Sequence, residues 1–176
     1  MSKIRLATVW MDGCSGCHMS FLDLDERLLD LADQIELVYS PLVDRKEFPA
    51  EVDVTLVEGA VSSVEDLERI QNVRAHSRLL VSLGDCAVTA NVPSMRNPFL
   101  LDKVLERAYV ENASQRAGIP CEVIPRLLPK VIPVHEAVKI DLFVPGCPPH
   151  RDLIHHVLSE LVEGRTPELA HARFGA

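Results

Sequence analysis

No apolar run in this 176-residue chain approaches the ~20 residues a helix needs to cross a bilayer. The start lacks a secretory apolar core with a small-residue cleavage site, and it lacks a twin-arginine signal, so a cytoplasmic protein without a membrane span is expected. Basic residues never cluster beyond the Arg45-Lys46 pair, and 26 acidic residues against 18 basic ones give a formal charge of -8. That balance disfavours nucleic acid as a partner. Aromatic residues are only 5% of the chain, so its core must be aliphatic. There is no internal repeat, no low-complexity segment and no G-x-G-x-x-G phosphate loop. The cysteines number five, an odd count, and a reducing compartment makes a disulfide framework a poor account of them. Metal binding or catalysis is the better reading.

With 47% apolar and 25% charged residues, the remaining composition is that of a globular protein. Its length suits one domain over residues 1–176, with 164–176 as a surface tail. Strands are expected at 3–10, 35–39, 53–57, 79–83 and 140–144. Apolar spacing of three and four predicts helices at about 17–32, 64–75, 100–113 and 149–163, with Ser62 or Ser63 capping the second. Prolines at 120, 125, 129 and 133 leave 117–137 as an extended loop. Strands that alternate with helices and are apolar at consecutive positions imply an α/β fold, a parallel sheet covered on both faces.

Such sheets place their sites at the carboxyl ends of the strands. Cys14 and Cys17 follow the first expected strand, Cys86 the fourth and Cys147 the fifth, so all four fall on one rim. Each sits in glycine or proline punctuation: Gly13-Cys14-Ser15-Gly16-Cys17, Gly84-Asp85-Cys86 and Pro145-Gly146-Cys147-Pro148-Pro149. Glycines allow backbone N–H groups close to an anionic thiolate cluster, and helices starting nearby aim their positive ends at it. A four-cysteine zinc site is the competing reading. Structural zinc usually takes two close pairs, whereas 68 residues separate Cys17 from Cys86 and 60 separate Cys86 from Cys147, which favours an iron–sulfur cluster. Cys121, with no glycine beside it, reads as an ordinary small hydrophobe.

These motifs, with Ser20-Phe21-Leu22 after the first pair and Val57-Glu58-Gly59-Ala60-Val61, resemble in order the small subunit of nickel–iron hydrogenases over nearly the whole chain. The resemblance implies a flavodoxin-like open parallel sheet with helices on both faces. It also implies one [4Fe-4S] cluster on Cys14, Cys17, Cys86 and Cys147, proximal to a Ni–Fe centre held by the hydrogenase large subunit. With no cysteine after Cys147, the chain is most similar to the short single-cluster subunits of cytoplasmic NAD-reducing hydrogenases. There, diaphorase iron–sulfur and flavin subunits carry the electrons onward. The chain would then relay electrons in an oxidoreductase whose catalytic centre lies in a partner, with no catalytic residue of its own. The uptake-type pattern has a glutamate two positions after the second cysteine, where this chain has Met19. The cluster-bearing subunit of complex I is a related alternative, although it carries two adjacent cysteines rather than a spaced pair. The fold also admits FMN, which the absent phosphate loop does not favour.

Around the expected cluster, Glu58 is assigned to the subunit interface or a proton path, and Asp85 to orienting the Cys86 turn or, by preference, to capping the following helix. His18 is read as neither ligand nor donor. His150 and Arg151 either offset cluster charge or face a partner. Phe21, Val61, Val92, Met95 and Phe99 are candidates for the large-subunit interface, with ordinary core as the alternative for each.

Overall fold

A computed structural model describes residues 3–170 and 172–175. Along the first half the elements are β1 (Ile4–Trp10), α1 (Gly16–Leu22), α2 (Arg27–Leu31), β2 (Ile35–Tyr39), β3 (Val52–Glu58), β4 (Val61–Ser63) and α3 (Val64–His76). Then come β5 (Ser77–Leu83), α4 (Asp85–Thr89), a 3-10 segment (Val92–Arg96), α5 (Leu101–Glu106), β6 (Leu127–Ile132), α6 (Val134–Ala137), β7 (Leu142–Val144) and α7 (Arg151–Val162).

Five strands pair in parallel in the order β2-β1-β3-β5-β7. Counted along the chain this is 2-1-3-4-5, the flavodoxin-like doubly wound order. The strands are apolar on consecutive positions because alternate residues enter different cores. Leu6, Val54, Leu56 and Val81 pack under α1, α2 and α7 with Phe21, Leu24 and Ile154. Val9, Val57 and Leu80 pack on the opposite face with Ile70 and Val73 of α3 and Ala87 of α4. Strand order reverses between β1 and β3, and the crevice beyond their carboxyl ends is where this topology seats a ligand.

Several boundaries differ from the sequence expectation. The helix expected from 17 to 32 is two helices joined by a turn in which Asp25 takes φ +50°. Asp23, Asp25 and Glu26 place negative charge at the carboxyl end of α1, opposing its dipole, and aspartate tolerates the left-handed conformation. Residues 117–137 are not one loop: β6 pairs antiparallel with β4 as a separate two-stranded ribbon, and α6 follows it. The register shifts between Val61 and Ser63, so Pro129 sits in an irregular edge strand that needs no N–H from it. Helix α5 is shorter than expected and runs into a π turn at Arg107–Glu111. Ser63 caps α3 in a full capping box with Asp66. In the expected tail, Leu169 packs against the first core and the Gly175 N–H reaches Asp85, while residues 171 and 176 lie outside the described ones.

Candidate metal centre

Each strand end hands the chain to a loop that a neighbouring loop fixes. Beyond β1 and β3, Asp12 and Ala60 exchange backbone hydrogen bonds (3.0 and 2.7 Å), and Met11 N–H donates to Glu58 O (2.9 Å). Beyond β5 and β7, Gly84 N–H donates to Val144 O (2.7 Å) and Asp85 N–H to Gly146 O (2.8 Å). The Asp85 carboxylate, itself buried, accepts from Gly146 N–H (2.7 Å) and Gly175 N–H (2.7 Å). Asp85 therefore joins the Cys86 and Cys147 loops and the chain's last turn, rather than capping α4, whose N-cap is Gly84. Ser20 Oγ ties α1 to Pro149 O at 2.6 Å.

These ties bring Cys14, Cys17, Cys86 and Cys147 around one cavity of about 70 Å³, together with Glu58, Asp85 and the backbones of Gly13, Gly59 and Gly146. Cys121 is exposed and does not line it. Gly84 makes the closeness possible: it has φ +83°, and a Cβ there would meet Cys17 Sγ at 2.2 Å. Cys17 and Cys86 are half-buried, whereas Cys14 and Cys147 open to the surface.

The sulfurs sense one another. The Cys17 thiol is pushed far above its ordinary range by burial first, then by the Glu58 carboxylate and by the sulfurs of Cys86 and Cys14. Cys86 is raised by burial most of all; a hydrogen bond from Val92 N–H works against that, and Cys147 and Cys14 add to it. The free thiols of Cys17 and Cys86 hold their protons, and metal ligation has to release them.

Glu58 is 2% exposed, and its Oε2 accepts the His18 N–H at 2.7 Å. Its Oε1 lacks a hydrogen-bond partner among the described residues. The His18 ring turns the other way, with Nε2 2.9 Å from Thr8 Oγ1, which donates to Ser40 Oγ at 2.8 Å. His18 Nδ1 lies 3.1 Å from Glu58 Oε2 but off the line of a hydrogen bond. The imidazole Nε2 is thus engaged away from the thiols, and Nδ1 has no hydrogen-bond partner among the described residues. Sequence reasoning missed Thr8 and Ser40, which carry no motif. Arg151 reaches Asp23 O and the Asp25 carboxylate, so its charge is directed at the α1–α2 turn, and His150 caps α7.

Of the proposed interface residues, Phe21 (6% exposed) and Val61 (0%) belong to the two cores, because each sits on the inner side of its element. Val92, Met95 and Phe99 are 60–70% exposed, as is Met19 on α1.

A [4Fe-4S] cluster calls for four thiolates around one space, with N–H donors at sulfur. The four cysteines, the Val92 N–H and the Asn91 amide 3.8 Å from Cys147 Sγ meet that description. Tetrahedral zinc needs all four sulfurs about 2.3 Å from one centre. Among the described residues no three Cys, His, Asp or Glu side chains converge on a single-ion position. A flavin needs roughly 300 Å³ or more, so this cavity is too small for one. No helix among the described residues is long and apolar enough to cross a membrane.

The delta subunit of the NAD-reducing hydrogenase HoxS of Cupriavidus necator is 46% identical over 172 residues, 95% of this chain and 82% of that one. The F420-non-reducing hydrogenase of Methanothermobacter marburgensis contains a chain that is 38% identical over 95% of this one, which spans only 56% of that relative. Among solved structures, an NAD+-reducing [NiFe]-hydrogenase in its H2-reduced state matches with a TM-score of 0.92 and 38% identity over 97% of both chains. A [NiFeSe]-hydrogenase of Dm. baculatum, 20% identical, shares the fold with a TM-score of 0.63 over 97% of this chain and 68% of that one. The sequence profile of the NADH ubiquinone oxidoreductase, 20 Kd subunit, matches residues 14–161, and the chain belongs to that family.

Proposed function

We propose that this chain is the electron-transferring small subunit of an NAD-reducing nickel–iron hydrogenase. It holds one [4Fe-4S] cluster on Cys14, Cys17, Cys86 and Cys147 and stands between a Ni–Fe centre in the large subunit and diaphorase subunits that reduce NAD. The observation that carries this reading is the convergence of four cysteines from three loops on one cavity, in a chain alignable almost end to end with an NAD-reducing hydrogenase subunit. When bound, the cluster supplies one-electron transfer. The protein's part is to fix four thiolates, to aim Asn91 and Val92 N–H groups at sulfur, and to keep water from Cys17 by burial. Glu58 serves the subunit interface or a proton path beside the cluster.

The open side of the cavity, with Cys14 and Cys147 exposed, is the face assigned to the large subunit. Met19 on α1 and Val92, Met95 and Phe99 in the segment after α4 give that face an apolar surface, as interfaces have at their centres. The domain is read as a single unit over residues 1–176, working in the cytoplasm. The family description also supports a subunit of a complex I-like oxidoreductase. The spaced pair Cys14 and Cys17 and the hydrogenase relatives favour the first reading. Anaerobic purification of the tagged chain from its native host tests it. A hydrogenase large subunit in the eluate with hydrogen-dependent NAD reduction is expected, and a quinone-linked partner or a zinc-loaded colourless protein would overturn it.

A further inference from the structure

The segment after α4 is bound to the site at one end and to the β4–β6 ribbon at the other. Ala90 takes φ +61°, a left-handed turn that costs a non-glycine residue energy and persists only where its surroundings fix it. Here Ala90 N–H donates to Cys86 O (3.0 Å), Ser94 N–H to Ala90 O (2.9 Å) and Ser94 Oγ to Asn91 O (2.8 Å). The turn brings Asn91 Nδ2 to 3.8 Å from Cys147 Sγ and turns the Val92 N–H toward Cys86. A thiolate only accepts, so the amide's NH2 is the end that faces it.

Further along, the Arg96 guanidinium donates to Ser62 O of β4 (3.3 Å) and to Leu128 O (2.9 Å) and Pro129 O (3.3 Å) of β6. Asn97 pairs with the Val131 peptide in both directions, Nδ2 donating to its O and Oδ1 accepting its N–H, each at 2.8 Å. The side-chain amide takes the place of a neighbouring strand. Residues 90–97 are therefore an arm with sulfur donors at its tip and a ribbon anchor at its base.

We propose that the Asn91 amide and the Val92 N–H tune the cluster through its cysteine sulfurs, and that Arg96 and Asn97 are positioning residues that hold those donors in place. This rests on the cluster assignment above. Reduction adds negative charge to a cluster, and N–H donors at sulfur stabilise the reduced form more than the oxidised one, which raises the reduction potential. The arm also exposes Val92 and Met95 on its outer side, so it stands between the sulfurs and whatever covers the rim.

The test is an EPR-monitored redox titration of this cluster in the complete heteromeric complex, with iron content measured in parallel. Asn91→Leu keeps the size and removes the donor, and its midpoint should move to a more negative potential at unchanged iron content. Asn91→Gln, which retains an amide, should lie nearer the wild type. Asn97→Ala, which touches no cysteine, should shift the midpoint in the same direction, an effect a purely structural residue would not have. Asn112→Ala, on an exposed turn outside the cavity lining, should leave it unmoved. Wild-type midpoints in both Asn91→Leu and Asn97→Ala overturn the proposal while leaving the cluster assignment intact. Should Asn91→Leu lose its iron, Asn97→Ala alone decides by the same criterion. A wild-type complex with no cluster on this chain overturns the assignment itself.

Discussion

Replacing Gly84 by alanine probes the site at its tightest point. The backbone there has φ 83° and ψ 160°, a region essentially reserved for glycine, and forcing alanine into it costs about 1–3 kcal/mol. The new methyl would also lie 2.2 Å from Cys17 Sγ, where ordinary contact begins at 3.4 Å. The sulfur's retreat is restricted, because Cys17 packs against the first core and the next residue's N–H is held by Glu58. Either Cys17 swings out of the cavity or the Gly84 peptide lifts off Val144 O, and both spoil the geometry of the four thiols. The complex carrying Gly84→Ala should lose most of this chain's iron and acid-labile sulfide, and its thermal midpoint should fall by roughly 3–9 °C at about 3 °C per kcal/mol. Gly118→Ala is the matched control, since nothing lies within 4 Å of its added Cβ. Full iron content in Gly84→Ala, measured against this control, would show that the approach of Gly84 to Cys17 does not govern the site.

Single replacements of Cys14, Cys17, Cys86 or Cys147 by alanine should each abolish the visible absorption and EPR signal of the cluster, whereas Cys121→Ala retains both; iron analysis of the five variants decides. Away from the site, Asp141 holds the β5–β7 edge by accepting from Arg74 (2.6 Å) and from Leu80 N–H (2.9 Å). Burial alone would raise its pKa, but the Arg74 and Leu80 hydrogen bonds prevail and hold it below the usual value. A depressed folded-state pKa gives stability that is complete above the unfolded value of about 3.9 and is lost as the pH falls through the folded one. Asp141→Asn should therefore cost about 1 kcal/mol near neutral pH, after allowance for solvent screening, with the difference from wild type vanishing in acid. Thermal midpoints of both proteins across that range provide the check. On the open face, Met95→Asp should weaken capture of the large subunit at unchanged apoprotein yield, because a charge replaces an apolar side chain that is 70% exposed.

The sheet was legible because β1, β3 and β5 are buried on both faces and so read as continuous apolar runs. The placement of four cysteines just after strand ends was legible for a related reason: a parallel sheet turns sequence position after a strand into position on one rim. Short-range signals also explain the α1–α2 break in retrospect, since three acidic residues interrupt an apolar stripe that itself stays in register with the core. The β4–β6 ribbon was not legible, because its pairing joins residues more than 60 apart and its bulge absorbs the proline that argued against a strand. The capping role preferred for Asp85 failed for the same reason, while the alternative, orienting the Cys86 turn, fits its contacts. Next to a helix start this aspartate looks like a cap, and only the tertiary approach of Gly146 and Gly175 gives its carboxylate other partners. Asn91 carries no sequence signal at all, as its role depends on a left-handed Ala90 that sequence does not announce.

Whether the four rim cysteines hold a single cubane cluster is decided by iron and sulfide analysis joined to EPR on the anaerobically isolated chain with its large subunit. The prediction is about four irons and four sulfides assignable to this chain, with the EPR signal of one reduced [4Fe-4S] cluster that disappears in Cys147→Ala. One zinc per chain with no sulfide, or an undiminished signal in Cys147→Ala, would contradict it.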